Sequence, residues 1–333
     1  MRAARCHQFG PPDVVELENV PSPVAGPGEV IVDVDAAAVN FPDVLMVGGR
    51  YQTLPELPFT VGSEAAGVVS QVGPDVTGFG LGDAVFGACG LGAFAEKVVM
   101  SVTDLRHRPA GVDAAAAASF TVAYETAYHA LRSTAAVQAG ETVVVLGAAG
   151  GVGSAAVQCA VSLGAHVVAA ASSSDRLALC TKLGANATVN YERDDLRSRL
   201  KELAPQGVDV VIDPVGGPHS EAALRSTTYG SRFVVIGFAA GQIPRIPLNL
   251  VLLKGVSIRG FDMRKFAAQE PDMHARDNAE LLTLLAQGRL RPHVSAEYPL
   301  DRVADALRDV AERKIVGKAV IGVRPTAPPS PVS

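Results

Sequence analysis

The segment from Thr142 to Leu163 constrains the fold of this chain more than any other. Val143-Val144-Val145-Leu146 is a short apolar run, Gly147-Ala148-Ala149-Gly150-Gly151-Val152-Gly153 is a turn of small residues, and a helix-forming stretch continues to Leu163. A second apolar run, His166 to Ala170, comes next, so strand, glycine turn, helix and strand fall within about 30 residues. That order specifies a βαβ unit with parallel strands. Parallel strands are covered on both faces, which is why they read as continuous apolar runs rather than alternating ones. Thr142 to Ser174 contains no Asp, Glu, Lys or Arg, but Gly147, Gly150, Gly151, Gly153 and Gly164 break it into pieces too short to span a bilayer.

The small residues of this turn have a chemical use. Ala148 and Gly150 let the backbone reach a pyrophosphate, Gly153 lets the helix pack closely on the strand, and the N–H groups of Gly151 and Val152 at the helix start face the phosphates. A dinucleotide site is expected there. In an NAD site, an acidic residue ends the second strand and binds the ribose 2′-hydroxyl. Here that strand ends in Ala171-Ser172-Ser173-Ser174, with no carboxylate at its end. Ser172 and Ser173 offer hydroxyl donors and Arg176 a positive charge, which suits a 2′-phosphate, so NADPH is the expected cofactor. Asp175, at the start of the following helix, is assigned to N-terminal capping.

The βαβ pattern extends on both sides of this turn. Val208 to Ile212 and Phe233 to Ile236 are further buried-strand candidates, with helical stretches at Asp175 to Leu183, Glu192 to Leu203 and His219 to Thr227. Such alternation specifies a doubly wound parallel sheet. The first 120 residues or so read differently, as short apolar runs (Glu29 to Val34, Ala65 to Val72, Asp83 to Ala88, Phe94 to Met100) punctuated by Gly and Pro, which argues for a β-rich barrel or sandwich. After Lys265 the alternation stops. Two helices (Asp277 to Gln287, Leu300 to Glu312) and a strand (Ala319 to Val323) are expected to return to the N-terminal domain. The predicted organisation is a β-rich domain over 1–121 and 266–324, a Rossmann domain over 122–265, and a disordered Pro/Ser-rich tail over 325–333. At 333 residues, two domains are also what core size leads one to expect.

Charge and cysteine usage narrow the function classes. With 29 basic against 34 acidic residues, a net charge of -5 and no basic cluster, nucleic acid is excluded as the expected partner. Four separated cysteines (Cys6, Cys89, Cys159, Cys180) lack the close pairs of a structural zinc or redox dithiol, and the seven histidines lie at no ligand spacing. Met1 to Phe9 does not read as a signal peptide, and a cytoplasmic protein is expected.

Several further stretches carry a family resemblance: Val39-Asn40-Phe41-Pro42-Asp43, Gly48-Gly49-Arg50-Tyr51, Val61-Gly62-Ser63-Glu64-Ala65-Ala66-Gly67, Thr126-Ala127-Tyr128-His129-Ala130-Leu131, the glycine turn, and Gly317-Lys318. With them the chain resembles the zinc-free medium-chain dehydrogenase/reductases of the NADPH:quinone oxidoreductase, or zeta-crystallin-like, family, over nearly its whole length to Gly322. The resemblance implies a GroES-like N-terminal catalytic domain beside the Rossmann domain. It implies that Asn40, Asp43 and Tyr51 line the cleft near the nicotinamide, that Thr126 approaches the carboxamide, that Tyr191 flanks the adenosine, and that Lys318 lies close to the cofactor phosphates. Gly237 and Phe238, at the end of a strand, are expected at the nicotinamide half, as the crevice rule for open α/β sheets implies. The positions matching the zinc ligands of related alcohol dehydrogenases are Asn40, Ser63 and Val122, none a thiolate or imidazole, so no catalytic zinc is expected. Glu64 is expected to be hydrogen-bonded beneath the site, and Glu125 stands where the family usually carries a small residue.

The expected activity is therefore transfer of hydride from NADPH to a quinone or similar conjugated carbonyl. Reduction of an activated alkene (an enone, 2-alkenal or enoyl thioester) is the alternative within the enzyme class, and a non-catalytic NADPH-binding protein the alternative outside it. A homodimer pairing the strand Val256 to Arg259 with its symmetry mate is expected. Tyr128 and His129 are assigned to packing or solvent.

Overall fold

The structure, a computed structural model, describes residues 1–324 of the 333, so the expected tail over 325–333 lies outside the described residues. Among the described residues, 1–122 together with 292–324 form one compact unit and 123–291 a second.

In the first unit, β1 (Arg2–Cys6), β2 (Val15–Asn19), β3 (Glu29–Val39), β4 (Phe59–Thr60), β5 (Glu64–Val72), β6 (Ala84–Ala88), β7 (Lys97–Ser101) and β8 (Leu105–His107) follow one another, with α1 (Phe41–Val47) inserted after β3 and α2 (Ala114–Ala118) after β8. A small sheet has the order β2-β1-β4. Val30, Val32, Val34, Ala37 and Val39 of β3 enter the same apolar core as Ala65 and Val69 of β5, Val85 of β6 and Val98 of β7. The chain leaves β3 directly into α1, whose first turn carries Pro42, a residue suited to a helix start because its missing N–H would have had no intrahelical partner.

The second unit begins in a helical segment whose middle is α3 (Thr126–His129), with wider i→i+5 turns on either side. Then come β9 (Thr142–Leu146), α4 (Gly151–Ser162), β10 (His166–Ala171), α5 (Ser174–Lys182), β11 (Ala187–Asn190), α6 (Leu196–Leu203), β12 (Val208–Asp213), α7 (Pro218–Arg225), β13 (Thr227–Val235), α8 (Leu248–Lys254), β14 (Ser257–Gly260), α9 (Met263–Gln269) and α10 (Pro271–Ala286). The strands are parallel in the order β11-β10-β9-β12-β13-β14, the doubly wound arrangement of a dinucleotide-binding sheet, with its switch point between β9 and β12. Val144, Val168 and Val211 of the central strands are wholly buried.

The chain then returns to the first unit with β15 (Val294–Pro299), α11 (Val303–Ala311) and β16 (Lys318–Gly322), completing a sheet of order β15-β16-β3-β5-β6-β8 in which β7 also pairs with β3. That return comes at Pro292, not near residue 266 as the change in sequence pattern implied. The reason is α10: Asp277, Asn278, Leu281 and Leu285 are buried, and Asp277 and Asn278 bond His129 on α3, which anchors the helix in the second unit. The helix expected from Glu192 starts four residues later, because Asp195 caps it by accepting from the Ser198 N–H at 2.8 Å. Among the described residues, no helix is long and apolar enough to cross a membrane.

Candidate active site

In the first unit the polar residues singled out by sequence converge on one buried cluster. Asn40 is the residue between β3 and α1, and Asp43 Oδ2 reaches back to accept from its backbone N–H at 2.8 Å, tying the helix start to the strand end. The Asn40 amide Nδ2 donates to Glu64 Oε1 at 2.9 Å and lies 3.4 Å from Ser63 Oγ. The other Glu64 oxygen accepts from the Val122 N–H at 2.9 Å. Lys318 closes the cluster, donating from Nζ to Asn40 Oδ1 at 2.6 Å and to Glu64 Oε1 at 3.0 Å. Lys318 is only 3% exposed and Glu64 not at all. Such a pair survives burial because every charged atom has a partner.

Two expectations change here. Lys318 was placed by resemblance near the cofactor phosphates, but its ammonium is held inside the first unit by Asn40 and Glu64. The register explains this: β16 runs antiparallel to β3 with Ala319 opposite Val39, which sets Lys318 beside Asn40. Asp43 was expected to line the cleft, yet it has no exposed surface, so it supports Asn40 from behind. Burial raises the Asp43 pKa to about 7, against the pull of the Asn40 N–H, the Ser63 hydroxyl and Lys318. Its Oδ1 has no hydrogen-bond partner among the described residues. Tyr51, just beyond α1, is half-buried and packs its ring on the unit's apolar core.

The positions that match zinc ligands in the related dehydrogenases do come together, and their donors are an amide, a hydroxyl and a backbone N–H. Cys89 is the thiol nearby, with Sγ 3.8 Å from the Gly62 carbonyl, and burial, Asp43 and Glu64 all push its pKa up. A thiol kept protonated in this way is a poor zinc ligand.

In the second unit, the predicted cofactor residues other than Thr126 lie on loops and helix starts at the carboxyl ends of the parallel strands, where open α/β sheets bind ligands. Gly147 has φ +58°, and a Cβ there would stand 2.5 Å from Val215, so the loops after β9 and β12 touch at the switch point. A Cβ on Gly153 would lie 2.1 Å from the Gly147 carbonyl oxygen, which makes glycine obligatory for the close packing of α4 on β9. Ala148 is buried, and Gly150 is the N-cap of α4 with no side chain capping the helix, leaving the N–H groups of Gly151 and Val152 facing outward from the turn.

At the end of β10, Ala171 is buried and Ser172, Ser173 and Arg176 are half-buried. Ser173, not Asp175, caps α5, its Oγ accepting from the Arg176 N–H at 3.4 Å, and Asp175 sits in the first turn. The Tyr191 ring lies against His219, centroids 4.2 Å apart. Gly237 and Phe238 follow β13, and Phe238 is 40% exposed. Thr126 is half-buried at the start of α3, off these strand-end loops.

Sequence reasoning missed Asp213, the last residue of β12. Its carboxylate accepts from the Val215 and Gly216 N–H groups at 2.9 and 2.8 Å and from the Ser220 hydroxyl at 2.6 Å, shaping a loop in which Gly216 and Gly217 both have φ +69°. An acid at a strand end followed by Gly-Gly was the available signal.

Residues 151–278 match the family described as zinc-binding dehydrogenase, and residues 26–110 the alcohol dehydrogenase GroES-like domain. The chain is 39% identical to quinone oxidoreductase-like protein 2 of Bos taurus over 97% of this chain and 93% of the bovine one. Among solved structures it is similar to the Escherichia coli quinone oxidoreductase complexed with NADPH (28% identity, TM-score 0.89, covering 97% of this chain and 100% of that one). It is also similar to the CurK enoyl reductase (28% identity, TM-score 0.87, covering 97% and 99%).

Proposed function

We propose that this chain, which belongs to the quinone oxidoreductase family of the medium-chain dehydrogenase/reductases, is an oxidoreductase that takes NADPH on its second unit and reduces a quinone or similar conjugated carbonyl without a catalytic metal. The observation that carries this reading is the Lys318 ammonium held by Asn40 and Glu64, a fixed cation among the side chains that match the zinc ligands of metal-dependent relatives.

The residues present fit the dinucleotide. The glycine turn has no side-chain bulk, the N-terminus of α4 is uncapped, and no acid ends β10. When bound, NADPH supplies the hydride. Ser172, Ser173 and Arg176 hold the 2′-phosphate, Tyr191 with His219 flanks the adenosine, Thr126 meets the carboxamide, and Gly237 and Phe238 border the nicotinamide half. Asn40 and Tyr51 orient the acceptor carbonyl. Lys318 polarises the Asn40 amide through its oxygen, which strengthens the amide N–H as a donor. A homodimer belongs to the same reading: β14 is exposed along its length, and Tyr229, Leu248, Leu252 and Leu253 are 71 to 84% exposed on β13 and α8.

The likeness to an enoyl reductase favours a second acceptor class, activated alkenes. Turnover of NADPH with a panel of quinones, enones, 2-alkenals and enoyl thioesters separates the two readings. Quinone reduction exceeding the others supports the first, alkene reduction alone replaces it with the second, and no turnover with tight NADPH binding leaves a binding protein.

A further inference from the structure

The fold of the second unit brings together His129 and His274, which no sequence spacing connects, and sets Glu125 beside them. One ligand atom from each lies within 4.8 Å of the other two. His129 is fully buried, while the His274 and Glu125 side chains keep 24% and 15% of their exposure, which leaves an entry path. We propose that Glu125, His129, His274 and the amide oxygen of Asn278 form a site for a divalent transition-metal ion of the zinc and cobalt class.

The hydrogen bonds around His129 fix its ring in the way that metal-binding histidines are fixed. Asp277, itself fully buried, places Oδ2 3.0 Å from His129 Nδ1. The Ser133 hydroxyl at 2.5 Å and Arg276 at 2.5 Å hold that carboxylate in place. A carboxylate on Nδ1 keeps the ring proton there and leaves a lone pair on Nε2, the outer support that metal-binding histidines characteristically have. Yet Nε2 faces another acceptor, Asn278 Oδ1, at 3.2 Å. With a proton on Nε2 the pair is an ordinary hydrogen bond; with the neutral ring both atoms are acceptors, and a cation beside them would join them. The same amide presents its Nδ2 to His274 Nε2 at 3.0 Å, so this second imidazole nitrogen accepts a hydrogen bond there, which a metal ion would replace.

Two imidazoles, a carboxylate and an amide oxygen are a nitrogen and oxygen donor set that suits zinc and its neighbours. Bonds of about 2.0 to 2.1 Å place tetrahedral ligand atoms roughly 3.3 Å apart. His274 Nε2 and Glu125 Oε2 are 4.0 Å apart, so modest side-chain rotation closes the set. Phe266, its ring centroid 5.0 Å from that of His129, supplies apolar cover. The site shares no residue with the Asn40 cluster, and its existence does not depend on the hydride chemistry proposed above.

Untagged full-length protein, stripped with chelator, is titrated with Co2+ while its visible absorption is followed, then with Zn2+ as competitor. The expected result is one Co2+ per chain with a low-coordinate visible band, displaced by Zn2+. His274→Gln and Glu125→Gln, both at partly exposed positions, are each expected to weaken binding by on the order of tenfold or more, whereas Ser63→Ala leaves it unchanged. Absence of stoichiometric binding overturns the proposal; the cluster is then a metal-free network with a charged His129 or a turned Asn278 amide. Binding that survives both His274→Gln and Glu125→Gln, or that is lost with Ser63→Ala, overturns it equally.

Discussion

Asp43 and Lys318 show how buried polar groups can be tested one at a time. Burial holds the Asp43 pKa at about 7, above the usual carboxylate value, so between about pH 4 and 7 the folded chain keeps a proton that the unfolded chain has released. Asp43 therefore makes a contribution to stability that is present in acid and is lost as pH rises through that window. Asp43→Asn, which retains an acceptor for the Asn40 N–H, is expected to gain stability relative to the parent between pH 5 and 8 in urea unfolding; an unchanged difference across pH contradicts this. Lys318→Met leaves Glu64 buried beside Asn40 without its cation and is expected to cost about 3 to 5 kcal/mol, part of which Glu64→Gln in the same chain recovers, as a double-mutant cycle reads out. At this scale Asn40 and Glu64 were legible from their motifs. The surroundings of Lys318 were not, because which side chain meets it depends on the pairing of β16 with β3, strands that lie at opposite ends of the chain.

The elements differ in how plainly the sequence announces them. β9, β10 and β12 are continuous apolar runs bounded by glycine or polar residues, and the glycine turn could be placed to the residue. β1, β2, β4, β8 and β15 escaped the sequence reading: β1, β4 and β8 are two to five residues long with no alternation to mark them, and the apolar/polar alternation of β2 and β15 runs over too few residues to stand out. The placement of α10 was misread because the partners that hold it, His129 and Tyr128, lie far away in sequence. Two predictions belong to the strand-end loops. A methyl group at residue 153 would collide with the Gly147 carbonyl, so Gly153→Ala forces α4 away from β9, at about 1 to 3 kcal/mol for such overpacking; NADPH affinity is expected to fall about tenfold or more, measured by fluorescence titration. After β10, Arg176→Ala is expected to weaken NADPH binding by about tenfold or more, since a charged hydrogen bond contributes about 1.5 to 3 kcal/mol, and to leave NADH binding nearly unchanged. Equal loss for both cofactors contradicts the role given to Arg176. Ala171→Asp is expected to shift preference toward NADH, because a carboxylate there accepts from the 2′-hydroxyl and repels a phosphate.

For the molecule as a whole, the two-part design was readable from the change of pattern near residue 121, while the place of return was not, since no break in composition marks Pro292. The proposed dimer predicts a mass by light scattering of twice 34.4 kDa at micromolar concentration; a mass of 34.4 kDa contradicts it. The central claim is that hydride passes from NADPH to a conjugated acceptor at a site whose cation is Lys318 and not a metal. It is tested most directly by the rate of NADPH oxidation with a quinone before and after exhaustive metal removal, with metal content determined on the same samples. An unchanged rate in metal-free protein is the predicted result, and a rate that vanishes on metal removal and returns with zinc would contradict the account.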